Sequence, residues 1–199
     1  QGLVVNGERL RIQGVNNHHD LGALGAAFNR RAAQRQLEIL RDMGVNAIRM
    51  SHNPPAPGLL DLTDAMGFLV MDEVFDSWEL KKTPLDFHLI FPEWREADLR
   101  SMIRRDRNHP SVILWSVGNE VGEQYSGEAG ASLTRELVAI AKDEDPSRLT
   151  TLAMNFAKAD MPMPREAEVI SLNYQGAGIR GIIGQYPAFH AAFPDKVIL

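Results

Sequence analysis

Glu120 is the side chain in this sequence best placed for proton chemistry. Six mostly apolar residues, Val112-Ile113-Leu114-Trp115-Ser116-Val117, lead through Gly118 to the pair Asn119-Glu120. A carboxyl delivered by apolar sequence to a strand end is suited to act as a general acid. The plainer alternatives are a capped or ion-paired surface glutamate and a turn asparagine. Four other polar clusters also follow apolar runs: Asn16 to Asp20, Arg49 with Ser51-His52-Asn53, Asp72-Glu73 with Asp76, and Asn173-Tyr174. One such cluster could be polar simply because a strand end reaches solvent. Five of them imply a shared site.

The elements that must position these residues alternate. Strand-like runs fall at 10–15, 47–50, 68–71, 112–117, 149–152, 169–172 and 196–199, several with consecutive apolar residues, as in strands buried on both faces. Between them, helical spacing appears at 30–43, where Asn29 can cap and Gly44 can terminate, and again at 59–66, 93–105 and 133–141. This pattern predicts a parallel sheet with right-handed crossovers, either doubly wound or closed into a barrel. No Gly-x-Gly-x-x-Gly opens a helix, which weakens a nucleotide-binding reading. Asn6-Gly7 between two strand-like runs predicts a hairpin leading into the fold. The long connection at 81–92 is expected to form a loop at the rim of the site.

Composition narrows the function classes. The 199 residues are 44% hydrophobic and 24% charged, a globular balance that a single domain satisfies. A net charge of −5, without long runs of either sign, gives no footprint for nucleic acid. Cysteine is absent, so disulfides and thiolate metal sites are excluded while the compartment stays open, cytoplasmic or periplasmic and secreted. No apolar stretch approaches the roughly 20 residues of a membrane span, so no membrane partner is expected. Gln1 is neither an initiator methionine nor the start of a signal, and the chain reads as cut from a longer protein.

The stretch Arg107-Asn108-His109-Pro110-Ser111 followed by Trp115-Ser116-Val117-Gly118-Asn119-Glu120 resembles glycoside hydrolase family 2, the family of β-galactosidases, β-glucuronidases and β-mannosidases. Gly14 to Asp20, Asn46 to Asn53 and Met71-Asp72-Glu73 extend the likeness over nearly the whole chain. The resemblance implies a (β/α)8 TIM barrel, incomplete with about seven strands, whose catalytic residues sit at the C-terminal rim. Residues 1–199 then form one partial catalytic domain, with the leading hairpin and first strand in 1–13.

By the same resemblance, Glu120 is the acid/base of a retaining exo-β-glycosidase and Asn119 binds the sugar 2-hydroxyl. Arg49 holds the nucleophilic carboxylate, with a buried structural ion pair as its alternative. His52 and His18 contact the sugar, and Tyr174 stands beside the nucleophile, with structural histidines and a core tyrosine as alternatives. Asp76 and Trp78 are plausible subsite residues, a carboxylate for hydroxyls and an indole for the sugar face, unless they pack the long loop. Family β-galactosidases place a Glu-x-His magnesium pair here, whereas this chain reads Ser77-Trp78-Glu79, so no metal and no cofactor are expected.

The implied partner is a carbohydrate, most closely a β-galactoside, with homo-oligomerisation possible through the full-length protein. The nucleophile is expected a few residues beyond Leu199, so the 199-residue chain alone is expected to be inactive. A β-glucuronidase or β-mannosidase is the rival within the same chemistry, and a non-catalytic carbohydrate-binding or assembly module the rival of another class.

Overall fold

The computed structural model describes residues 2–174 and 184–199. It opens on an antiparallel hairpin, β1 (Val4–Val5) and β2 (Glu8–Arg9). Positive φ angles at Asn6 (53°) and Gly7 (84°) give this turn the twist that hairpins favour. Then follow β3 (Gly14–His18), α1 (Arg30–Asp42), β4 (Ala47–Ser51), α2 (Pro57–Met66), β5 (Leu69–Glu73), α3 (Phe91–Asp106), β6 (Val112–Asn119), α4 (Glu128–Glu144), β7 (Leu149–Met154), β8 (Val169–Leu172), α5 (Tyr186–Ala192) and β9 (Val197–Ile198).

The strand order β3-β4-β5-β6-β7-β8-β9 is sequential and every pair is parallel. A doubly wound sheet reverses its order at a switch point. This one never does, so it is a curled, incomplete (β/α) barrel with β3 and β9 at its edges. Among the described residues, no helix is long and apolar enough to cross a membrane.

Local chemistry explains most boundaries. Asn29 caps α1 by accepting from the backbone N–H of Ala32 at 3.0 Å, and Gly44 (φ 87°) follows its end. Gly67, in the left-handed region at 78°, terminates α2. The first barrel strand starts at Gly14, not at residue 10 as the sequence pattern implies. Leu10 still donates to Leu3 of the hairpin, and the Asn46 side chain occupies the backbone of the connector, accepting from Gln13 N–H and donating to the Arg11 carbonyl. Residues 1–13 thus hold the hairpin and a connector. Helix α4 begins five residues earlier than expected and α5 was not expected at all.

The core lies between the sheet's outer face and the helices. Leu37, Leu60, Leu99, Ile103 and Leu137 are fully buried there, in one cluster with Ile48, Met50, Val70, Trp115 and Val117. Each such side chain contributes about 1.5–3 kcal/mol of burial free energy. Inside the curl, Asn16, Arg49, Met71 and Leu114 share one register line across β3 to β6 and line a cavity of about 440 Å³ that Asn173 also borders.

Asp72 and Glu73 are adjacent on β5 and, by strand alternation, point to opposite faces. Asp72 is fully buried and meets the carboxylate of Asp106, which Arg105 grips through two 2.6 Å hydrogen bonds. Burial first, and then the charge of Asp106, push the Asp72 carboxyl well above the usual carboxylate range. No donor from the described residues reaches either Asp72 oxygen.

Two predictions follow from the packing. A Cβ at Gly130 of α4 would lie 2.1 Å from the Glu123 carbonyl oxygen, in the turn after β6. Gly130→Ala should therefore destabilise by about 1–3 kcal/mol in urea unfolding, overriding the roughly 1 kcal/mol by which alanine favours a helix; equal or higher stability would refute the close packing. For Asp72, a folded pKa raised above the unfolded one gives stability that is full below the unfolded value of about 3.9 and is lost as pH rises through the folded value. Asp72→Asn does not titrate, so its stability relative to the parent should climb as pH rises above about 4. Parallel stability curves for the two proteins would contradict a raised Asp72 carboxyl.

Candidate active site

Strand β6 is the longest of the sheet and delivers Asn119-Glu120 through a bulge. Ser116 is in register with Thr151 of β7 and Asn119 with Ala153, so β6 uses one residue more than its partner between those points. Such a bulge re-aims the side chains that follow it. Glu120 emerges with φ 46°, and Tyr174, after β8, with φ 60°. Positive φ at a non-glycine residue is uncommon and is concentrated at functional sites. The Glu120 N–H donates to the Ala153 carbonyl at 2.8 Å and the Asn119 N–H to that of Phe75 at 3.0 Å, so both neighbouring elements hold the turn.

Arg49 and Glu73 form the centre of the site. The Glu73 side chain is completely buried; its Oε2 accepts from Arg49 Nε (3.1 Å), Arg49 Nη2 (2.7 Å) and Ser116 Oγ (2.6 Å), and its Oε1 pairs with His52 Nδ1 at 2.6 Å. Arginine only donates, so each amide beside it must present its oxygen. Asn119 Oδ1 accepts from Arg49 Nη2 at 2.8 Å and Asn173 Oδ1 from Nη1 at 3.4 Å. Their NH2 groups are thereby turned outward. That of Asn119 donates to Asp76 Oδ1 (2.8 Å) and that of Asn173 to Glu120 Oε1 (2.6 Å). Asn155 Nδ2 donates to Glu120 Oε2 at 3.1 Å, so both oxygens of the carboxyl group are held by amides.

The long connection closes over one side. Lys82 Nζ reaches Asp76 Oδ1 (2.8 Å) and the Asn119 carbonyl (2.7 Å), while the Leu80 N–H donates to Glu123 Oε1. Burial pushes the Asp76 carboxyl up, but the hydrogen bonds from Lys82 and Asn119 outweigh it and leave the group below its ordinary range. His18 lies exposed at the end of β3 with its ring edge-on to that of His52, centroids 5.0 Å apart.

The structure thus brings Glu120, Asn119, Arg49, His52, His18 and Asp76 to one rim, with the half-buried Tyr174 after the adjacent β8. In the motif around Tyr174, Gln175 and Gly176 lie outside the described residues. Trp78 departs from its expected role as an open stacking face. It is fully buried, donates from Nε1 to the Val117 carbonyl at 3.0 Å and stacks on Phe91. A Cβ on Gly118 would lie 2.9 Å from that indole nitrogen, so Trp78 fills the space behind the bulge. Arg49 occupies the buried ion pair named as its alternative, with Glu73 as partner.

Asn155, Ser116 and Lys82 were not singled out by sequence. Asn155 carries the one usable signal, since it directly follows a strand, as Glu120 and Asn173 do. Glu79 is exposed, and among the described residues no group of three or more His, Asp or Glu could hold a metal ion.

Comparison with known proteins agrees with this architecture. The pattern of the glycosyl hydrolases family 2 TIM barrel domain matches residues 1–179. The β-galactosidase BoGH2A of Bacteroides ovatus is 44% identical over 228 residues, covering 98% of this chain and 26% of that protein. A β-glucuronidase of Bacteroides fragilis is 35% identical over 158 residues, covering 78% of this chain and 22% of that protein. A family 2 glycosyl hydrolase structure from Bacteroides cellulosilyticus superposes with a TM-score of 0.87 at 36% identity, covering 97% of this chain and 24% of that one. The chain spans about a quarter of the length of these relatives. A matching domain pattern, together with sequential parallel strands that carry an Asn-Glu pair to the barrel rim, makes this chain a member of glycosyl hydrolase family 2.

Proposed function

We propose that this chain forms most of the catalytic barrel of a retaining exo-β-glycosidase acting on terminal β-D-galactosides, with Glu120 as acid/base. The observation that carries the proposal is the carboxyl group of Glu120, presented at the rim by a bulged, positive-φ turn and held at both oxygens by amides. In the first step Glu120 gives its proton to the glycosidic oxygen as that bond breaks. A second carboxylate, about 5–5.5 Å away, attacks the anomeric carbon and forms the glycosyl-enzyme. In the second step Glu120 removes a proton from the water that releases the sugar.

The acids seen beside Glu120 are engaged elsewhere. Glu73 has both oxygens bound by Arg49, Ser116 and His52, and Asp76 is tied to Lys82 and Asn119. We assign the nucleophile to sequence following Leu199, where the family resemblance implies it. His18, His52 and Asp76 are assigned to the sugar pocket, Asn119 to the 2-hydroxyl, and Tyr174 to a place beside the nucleophile. The choice of galactoside is supported by the β-galactosidase relative aligned over 98% of the chain. A β-glucuronidase is the second reading, supported by the relative from Bacteroides fragilis.

A panel of nitrophenyl β-galactoside, β-glucuronide and β-mannoside with the full-length enzyme separates these readings, and preference for the galactoside is expected. Glu120→Ala should lower kcat on that substrate by roughly 10²–10⁴-fold, with azide restoring turnover by replacing water in the second step. An unaffected kcat would exclude Glu120 as the acid/base. The 199-residue chain alone should show no turnover of the nitrophenyl galactoside, and a version extended through the next two strands should; clear turnover by the shorter chain would refute a nucleophile beyond Leu199.

A further inference from the structure

Asn155 donates to Glu120 although it lies on a different strand end, and its orientation is fixed from behind. The Asn155 amide could present either its NH2 or its oxygen to Glu120, since the two are nearly isosteric. Gln124 decides the matter. Its Oε1 accepts from the backbone N–H groups of Phe156 (3.2 Å) and Ala157 (2.9 Å), which can only donate. Gln124 must therefore turn its NH2 the other way, and Nε2 donates to Asn155 Oδ1 at 2.8 Å and to the Val121 carbonyl at 3.1 Å. With its oxygen so engaged, Asn155 has its NH2 left to face Glu120 Oε2. Gln124 is 3% exposed, so water does not compete for these contacts.

We infer that Asn155, oriented by Gln124, is a positioning residue that holds the carboxyl group of Glu120 in the plane required for proton transfer to the leaving group. The inference rests on the acid/base assignment of Glu120. Asn173 grips Oε1 from one side at 2.6 Å, and one contact alone leaves the carboxyl free to rotate about its last side-chain bond. A second donor on Oε2 removes that freedom. Each oxygen accepts one amide and retains a further lone pair for the proton that moves. Orientation of this kind is a substantial fraction of general-acid catalysis, because a reacting group misplaced by about 1 Å can lose about 10²-fold.

The test is a leaving-group comparison in the full-length enzyme, with phenyl and 2,4-dinitrophenyl β-galactosides as probes. Departure of dinitrophenolate needs no proton, so kcat/KM on that substrate does not sense the acid. Departure of phenolate does. Asn155→Ala is expected to lower kcat/KM on the phenyl galactoside by about tenfold to a hundredfold while changing it less than about threefold on the dinitrophenyl one. Both substrates are turned over by the same preparation, so the ratio cancels any loss of folded protein.

Gln124→Glu provides a second arm that leaves Asn155 in place. A carboxylate there still accepts from Phe156 and Ala157 but offers Asn155 no donor, so the Asn155 amide inverts and turns its oxygen to Glu120. The same selective loss is expected, although Gln124 does not touch Glu120. Equal losses on both substrates, or no loss in either variant, would overturn the inference. Glu120→Ala serves as the reference: if it shows the selective pattern and the Asn155 and Gln124 variants do not, the positioning role fails and the acid/base reading stands. If Glu120→Ala lacks the pattern, the acid/base reading fails first.

Discussion

A guanidinium group carries five N–H donors and no acceptor, and a buried one dictates the orientation of every amide that touches it. Arg49 holds that position here. Removing two charges from water is costly, and the attraction between them compensates only where further hydrogen bonds complete both groups. Glu73 meets that condition, with its oxygens accepting from Arg49 twice and from Ser116, and pairing with His52. The order imposed by Arg49 then spreads outward. Asn119 and Asn173 are turned so that their NH2 groups face acids, Asp76 and Glu120 respectively. The acid at the rim is thus oriented by a charge two residues removed from it in the network.

That order would be lost if the backbone beneath were free to relax. The bulge in β6 and the positive φ at Glu120 are locally unfavourable, of order 1–3 kcal/mol for a strained residue, and persist because their surroundings leave no alternative. Trp78 occupies the space over Gly118 and ties its indole to the Val117 carbonyl, with Phe91 stacked on its other side. Phe75 and Phe87 continue the aromatic packing under the long connection. The sequence Phe75 to Phe91 is therefore both a rim loop and the buttress of the strand end beside it, which explains why its tryptophan is buried rather than offered to a ligand.

Much of this was legible in the sequence, and what was not has identifiable causes. Helical spacing with Asn29 and Gly44 at its ends located α1 to within a residue, because cap and period agree there. The Asn-Glu pair was recognisable because a long apolar strand precedes it. Helix α4 started earlier than its pattern because Gly130 and Ala131 are small for packing reasons, and small residues carry no hydrophobic period. Leu10 was read as strand from its side chain, yet the backbone around it bonds to Leu3 and Asn46, a pairing that composition does not encode. For Trp78 the sequence leaves a sugar face or loop packing open, because position after a strand does not say which side of a bulge an indole occupies. Asn155 follows a strand as Glu120 does, but its orientation depends on Gln124, 31 residues away in sequence.

The two anchors of Glu120 share a property that suits a group required to gain and lose a proton. On the Asn173 side the chain ends in Arg49, whose guanidinium can only donate. On the Asn155 side it ends in backbone N–H groups, which do not titrate at all. Neither anchor changes its hydrogen-bonding sense when Glu120 changes its charge, so the carboxyl is held in either state, as the proposed double displacement requires. Behind the same rim, burial and the charge of Asp106 push the Asp72 carboxyl well above the usual carboxylate range, with Glu73 adding to the effect. The strand that carries the central ion pair therefore brings one carboxyl group to the site and another to the core.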